Sequence, residues 1–143
     1  MRRSLIGMLV VVVSLVAVFA ASAGTTATKK LEATLTGKAE DAPASNKGKV
    51  ELRLNAATGK VCWEFKLSKI DGKAMQAHIH KGKRGVAGNV VVPLGANYKR
   101  QGCTTAAKAL VKSILKSPGT YYVNVHNAKH PAGAMRGQLS SGA

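Results

Sequence analysis

Four separated runs of this chain alternate apolar and polar residues with a period of two. Leu31, Ala33 and Leu35 alternate with Glu32, Thr34 and Thr36. Val50, Leu52 and Leu54 alternate with Glu51 and Arg53, and Val61, Trp63, Phe65 and Leu67 with Cys62, Glu64 and Lys66. Tyr121, Val123 and Val125 alternate with Tyr122, Asn124 and His126. Successive side chains of a strand point to opposite faces, so each run buries one face and wets the other. Such alternation belongs to antiparallel sheets, because buried parallel strands read as continuous apolar runs. Turn chemistry separates the runs: Asp41 to Gly48 reads as a loop, Asn55 to Gly59 as a hairpin connection, and Asp71-Gly72 and Ser117-Pro118-Gly119 as turns. One stretch departs from the period. Ala107, Leu110, Val111, Ile114 and Leu115 fall at helical spacing, with Thr104 or Thr105 available as a cap and Pro118-Gly119 as a stop. Lys108, Lys112 and Lys116 line the opposite side as a solvated stripe. The expected architecture is all-β, an antiparallel β-sandwich carrying one short helix in a crossover.

The N-terminus carries a different signal. Met1-Arg2-Arg3 precedes an almost wholly apolar run from Leu5 to Ala20, which ends in Ala21-Ser22-Ala23. A cationic start, an apolar stretch and small residues at −3 and −1 form a cleavable export signal. The run is short for a bilayer span of about 20 residues, and no basic stop-transfer cluster follows it. We therefore expect a signal peptide at 1–23, a flexible leader at 24–30, and one domain at 31–143 without a stable membrane span. Loss of Arg2 and Arg3 reduces 22 basic residues to 20 against six acids, a net charge of about +14. No acid follows Asp71. Such a surface suits anionic envelope polymers or extracellular proteins through long-range attraction, or serves solubility alone. Nucleic acid is not an expected partner, because an exported chain rarely meets it and aromatics for base stacking are few. Cys62 and Cys103 are the two cysteines. In an oxidising compartment an even count suggests a disulfide, with two free thiols as the alternative.

All four histidines lie in the second half of the chain. On a strand, His78 and His80 project from one face. If that strand pairs beside the one ending at His126, three imidazoles converge. Three imidazoles suit copper or zinc, with a fourth position open. Two features oppose this: no acid lies near in sequence, and the neighbourhood is basic. The alternative is that the rings hydrogen-bond loop backbones and fix the rim. Lys81, Lys83 and Arg84 sit among Gly82, Gly85 and Gly88, and with Arg136 they are candidate contacts for an anion or partner. The acids occupy exposed-phase strand positions or loops, no Gly-X-Ser-X-Gly elbow occurs, and no catalytic residue set is assigned.

The runs His78-Ile79-His80-Lys81-Gly82, Gly119 to His126, and Pro131 to Leu139 together resemble the CHRD domain family, as do Leu31 to Gly37 and Gly59 to Phe65. The resemblance covers about residues 31–139. It implies an immunoglobulin-like β-sandwich and an extracellular setting. The His-X-His strand is also locally similar to copper–zinc superoxide dismutases, but their other ligands have no match here and the activity is not carried over. The family's usual Gly-Glu-Ile-Arg-Gly-Gln reads Gly133-Ala134-Met135-Arg136-Gly137-Gln138 here. The acid is replaced by Ala134, so any pairing it makes with Arg136 or a histidine would be missing.

The sequence reading is thus an exported, non-catalytic binding or structural domain, secreted or in the cell envelope. A metal-binding protein with His78, His80 and His126 is the alternative. N-terminal sequencing of the exported protein is expected to start at Gly24; retention of residues 1–23 would mean an uncleaved anchor.

Overall fold

Each alternating run becomes a strand in the computed structural model, which describes residues 27–142. The signal segment at 1–23 lies outside the described residues. The strands are β1 (Lys29–Thr36), β2 (Lys47–Asn55), β3 (Lys60–Lys69), β4 (Ala74–Lys81) and β5 (Val90–Pro93). After β6 (Gln101–Thr105) come the helix α1 (Lys108–Lys116), then β7 (Tyr121–Asn127), β8 (Met135–Gln138) and β9 (Ser140–Ser141). Short 3-10 turns at Gly37–Glu40 and Pro118–Thr120 flank β1 and β7.

All strand pairs are antiparallel, in the order β5-β4-β7-β8-β1-β2-β3-β6, with β9 beside β1. The sheet curves until its ends nearly meet. The segment 94–100 bridges them. It bonds β4 through Leu94 N–H to Ala77 O (2.9 Å) and Tyr98 N–H to Met75 O (2.7 Å). It holds β3 by accepting from Phe65 N–H at Arg100 O (2.7 Å) and from Trp63 Nε1–H at Lys99 O (3.0 Å). Those contacts occupy strand edges that would otherwise invite pairing with another chain.

The period-two reading fixes the core. Leu31, Leu35, Val50, Leu52, Leu54, Val61, Trp63 and Phe65 point inward from one half of the sheet. Ala77, Ile79, Val92, Val123, Val125 and Met135 meet them from the other. Helix α1 lies in the crossover from β6 to β7 and adds Val111 and Ile114 to the same core. Two local readings are corrected. Strand β1 begins at Lys29, inside the expected leader, because Lys29 and Lys30 pair with Leu54 and Arg53. Thr104 and Thr105 belong to β6 and do not cap α1; the N-cap position is Ala107, with no side-chain cap bond.

Cys62 and Cys103 face each other directly across β3 and β6 and form a disulfide. The bond ties the edge strand β6 to the sheet. Closing a loop of 41 residues stabilises by about 4 kcal/mol through lost unfolded-state entropy. The Cys62→Ser/Cys103→Ser protein is expected to unfold with about that much less stability in urea at equilibrium. An unchanged midpoint would show that loop closure contributes nothing here.

Candidate metal centre

Strands β4 and β7 are neighbours, and their register sets the site. Gln76 pairs with His126, His78 with Asn124, and His80 with Tyr122. Ala77, Ile79, Val123 and Val125 point into the core. By alternation, His78, His80, Tyr122, Asn124 and His126 share the opposite face. That face of an antiparallel sheet is often wet. Here the loops after β4 and after β7 reach back over it, through bonds from His80 to Gly88 and from His126 to Pro131.

The three rings converge. Their centroids lie 5.0 Å apart for His78 and His126, 5.8 Å for His78 and His80, and 5.9 Å for His80 and His126. One ligand nitrogen from each lies within 4.8 Å of the others. Tetrahedral zinc, with bonds of about 2.0–2.1 Å, holds its nitrogens about 3.3 Å apart. A depression of about 270 Å³ has His126 in its lining, beside Met75, Gln76 and Pro131.

Hydrogen bonds set two of the tautomers. His80 Nδ1 lies 2.9 Å from Gly88 O, and His126 Nδ1 lies 3.0 Å from Pro131 O. A carbonyl can only accept, so both Nδ1 atoms carry the proton and both Nε2 atoms carry a lone pair. Those Nε2 atoms are buried without a hydrogen-bond partner, as is His78 Nδ1. Metal-bound histidines usually donate their other N–H to a carbonyl in this way, which fixes ring orientation and raises ligand basicity. Burial holds all three imidazoles below the ordinary histidine pKa. The His126 and His80 charges add to this at His78, and the His126 and Arg136 charges at His80. Backbone bonds to Gly88 and Pro131 act the other way at His80 and His126. The result is neutral imidazole, the form that ligates.

Arg136 organises the neighbouring side. Its guanidinium lies 3.6 Å from the centre of the Tyr122 ring, which is itself stacked on His80. It donates to Val86 O (2.9 Å) and Lys83 O (3.3 Å), pinning the loop after β4. It pairs with Glu40 at 3.5 Å, the two side chains being 8% and 13% exposed. Glu40 corrects the sequence reading, which placed the acids on exposed strand positions or in loops. It lies in the 3-10 turn after β1, and no motif marked it. Desolvation pushes its carboxyl above the ordinary range, against the pull of Arg136. Arg136 thus finds a carboxylate partner more than ninety positions away in sequence. The pairing offsets part of the positive charge beside the cluster.

The remaining candidates lie apart. Lys81, Lys83 and Arg84 are exposed, whereas Arg136 is buried and committed within the fold. Loop N–H groups at Gly82, Val86 and Gly88 bond Thr120 O, Lys83 O and the Tyr122 hydroxyl, so they form no open anion nest. Gly88 must lack a side chain, since a Cβ there would lie 1.7 Å from Lys81 O. His130 stands outside the cluster, 3.6 Å from Asp71, which Lys129 also contacts.

A family model described as the CHRD domain matches residues 31–139. No curated protein and no solved structure matches the chain.

The lowered histidine pKa values set a pH dependence. Below about pH 6.5 the unfolded chain takes up protons that the folded cluster resists. Stability of the metal-free protein should therefore fall as pH drops from 6.5 toward the lower, folded-state values, and stay level above that. Urea midpoints at pH 7.5 and 5.5 measure this. The His78→Gln/His80→Gln/His126→Gln protein should lose most of that dependence; an equal slope in both proteins would count against a neutral cluster.

Proposed function

This chain belongs to the CHRD domain family, and on that premise we propose that it is an exported metal-binding domain centred on His78, His80 and His126. One observation carries the proposal: three buried imidazole nitrogens without partners lie on one sheet face, two of them turned to the ligand tautomer by backbone carbonyls. Buried polar atoms in folded proteins nearly always find a partner. A cation shared by the three rings would satisfy them together. An all-imidazole set suits copper or zinc, and the general affinity order places copper above zinc for one site. Loops roof the face, and His126 also lines a depression. Binding is the whole of the proposal, and no catalytic step is assigned.

The setting fits a protein outside the cytoplasm. The disulfide needs an oxidising compartment, and the expected cut after Ala23 would deliver the chain there. Among the described residues no helix is long and apolar enough to cross a membrane. Exposed Lys81, Lys83, Arg84, Lys108, Lys112 and Lys116 would bring the domain to anionic polymers of the envelope, with contacts that weaken as salt rises.

Mature protein purified without a histidine tag should take up one copper or zinc per chain and gain thermal stability on doing so. His126→Ala should weaken binding by more than the roughly 10–100-fold that loss of an outer-shell partner costs. Protein that shows neither retained metal nor a thermal shift with either ion would end the proposal.

A further inference from the structure

Asn124 occupies the centre of the same sheet face. It lies directly opposite His78 on β4 and opposite Arg136 on β8, and two residues from His126 on its own strand. Its side chain is 2% exposed. The amide nitrogen donates twice, to Glu40 Oε1 and to Ala132 O, each at 3.2 Å. Those two acceptors settle the orientation of the amide, because a flip would set Oδ1 against a carboxylate and a carbonyl. The oxygen that remains, Oδ1, is buried and has no partner. It joins the three imidazole nitrogens as a fourth buried polar atom without a partner.

The Nε2 atoms of His80 and His126 and Asn124 Oδ1 are all acceptors and cannot satisfy one another. A cation satisfies the nitrogens, but Asn124 Oδ1 calls for a hydrogen-bond donor. Three protein ligands leave the fourth position of a tetrahedral ion to an exchangeable water. Water on a metal is a strengthened donor, since the cation makes its protons more acidic. We propose that the centre holds a metal-bound water as fourth ligand and that Asn124 Oδ1 accepts its hydrogen bond. The inference rests on the three-histidine metal reading. It makes the centre an open one, able to exchange its fourth ligand, and not a closed structural site. The link from Asn124 through Glu40 to Arg136 then ties the loop after β4 to the water position, and Asn124 is a positioning residue of the centre.

Pulsed electron paramagnetic resonance on the Cu(II)-loaded mature chain in heavy water tests this. Imidazole nitrogens and inner-sphere deuterons give separate modulations in one spectrum. The wild-type protein is expected to show both. Asn124→Leu, similar in size but without an acceptor, should keep the nitrogen modulation and lose roughly half or more of the deuteron modulation. Asn124→Gln, which keeps both the amide donor and an acceptor, should keep both, and it serves if the leucine protein does not fold. Wild-type protein with nitrogen but no inner-sphere deuteron modulation would overturn the inference and leave His78 Nδ1–H as the donor to Asn124. Undiminished deuteron modulation in Asn124→Leu would overturn the role of Asn124. Copper that shows no imidazole modulation in the wild type marks the different failure, that of the three-histidine centre itself.

Discussion

The buried pair between Arg136 and Glu40 is the contact on which the polar face depends. Arg136 reaches it from β8 and Glu40 from the turn after the neighbouring strand β1, so the pair ties that turn to β8. The guanidinium also holds two carbonyls of the loop after β4 and lies against Tyr122. Glu40 in turn accepts from Asn124. Desolvating two charges is costly, and a buried pair of this kind adds little net stability over a well-packed apolar substitute. Removing one partner is different: it strands the other charge and costs about 3–5 kcal/mol. The pair therefore acts as a device that fixes one arrangement of loops and strands, and the histidines inherit that arrangement.

Neutrality of the cluster follows from the same enclosure. Three imidazoles whose centroids are 5–6 Å apart would repel if protonated, and the roof removes the water that would screen them. Desolvation is the largest cause of the lowered pKa at each ring. Two rings are held from outside by carbonyls, so each keeps an unprotonated Nε2 on the shared face.

Much of the fold was legible because its signal is local. The alternation from Leu31 to Leu35, Val50 to Leu54, Val61 to Phe65 and Tyr121 to Val125 states which side chains are inward, and the structure buries those residues. The helix was legible from its spacing, but its start was not. Thr104 and Thr105 are good caps by type, yet pairing with Lys60 and Val61 draws them into β6. Gln76 opposite His126 and His78 opposite Asn124 were legible only as a condition, since strand order is not written in either strand. The role of Glu40 was not legible at all. An acid in Lys38-Ala39-Glu40-Asp41 looks solvated, and only the pairing of β1 with β8 brings Arg136 to it.

The sequence by itself determined the strands, their inward faces, the helix, the charge and the family. These depend on side-chain type at short spacing, through the two periods of the backbone. The tertiary structure alone decided that three histidines share one place, that two of them present Nε2, that Asn124 keeps an oxygen free, and that Glu40 pairs with Arg136. Each of these is a meeting of residues from separate strands or loops. Such meetings are set by sheet order and register, which come from the packing of the whole core and not from any one segment.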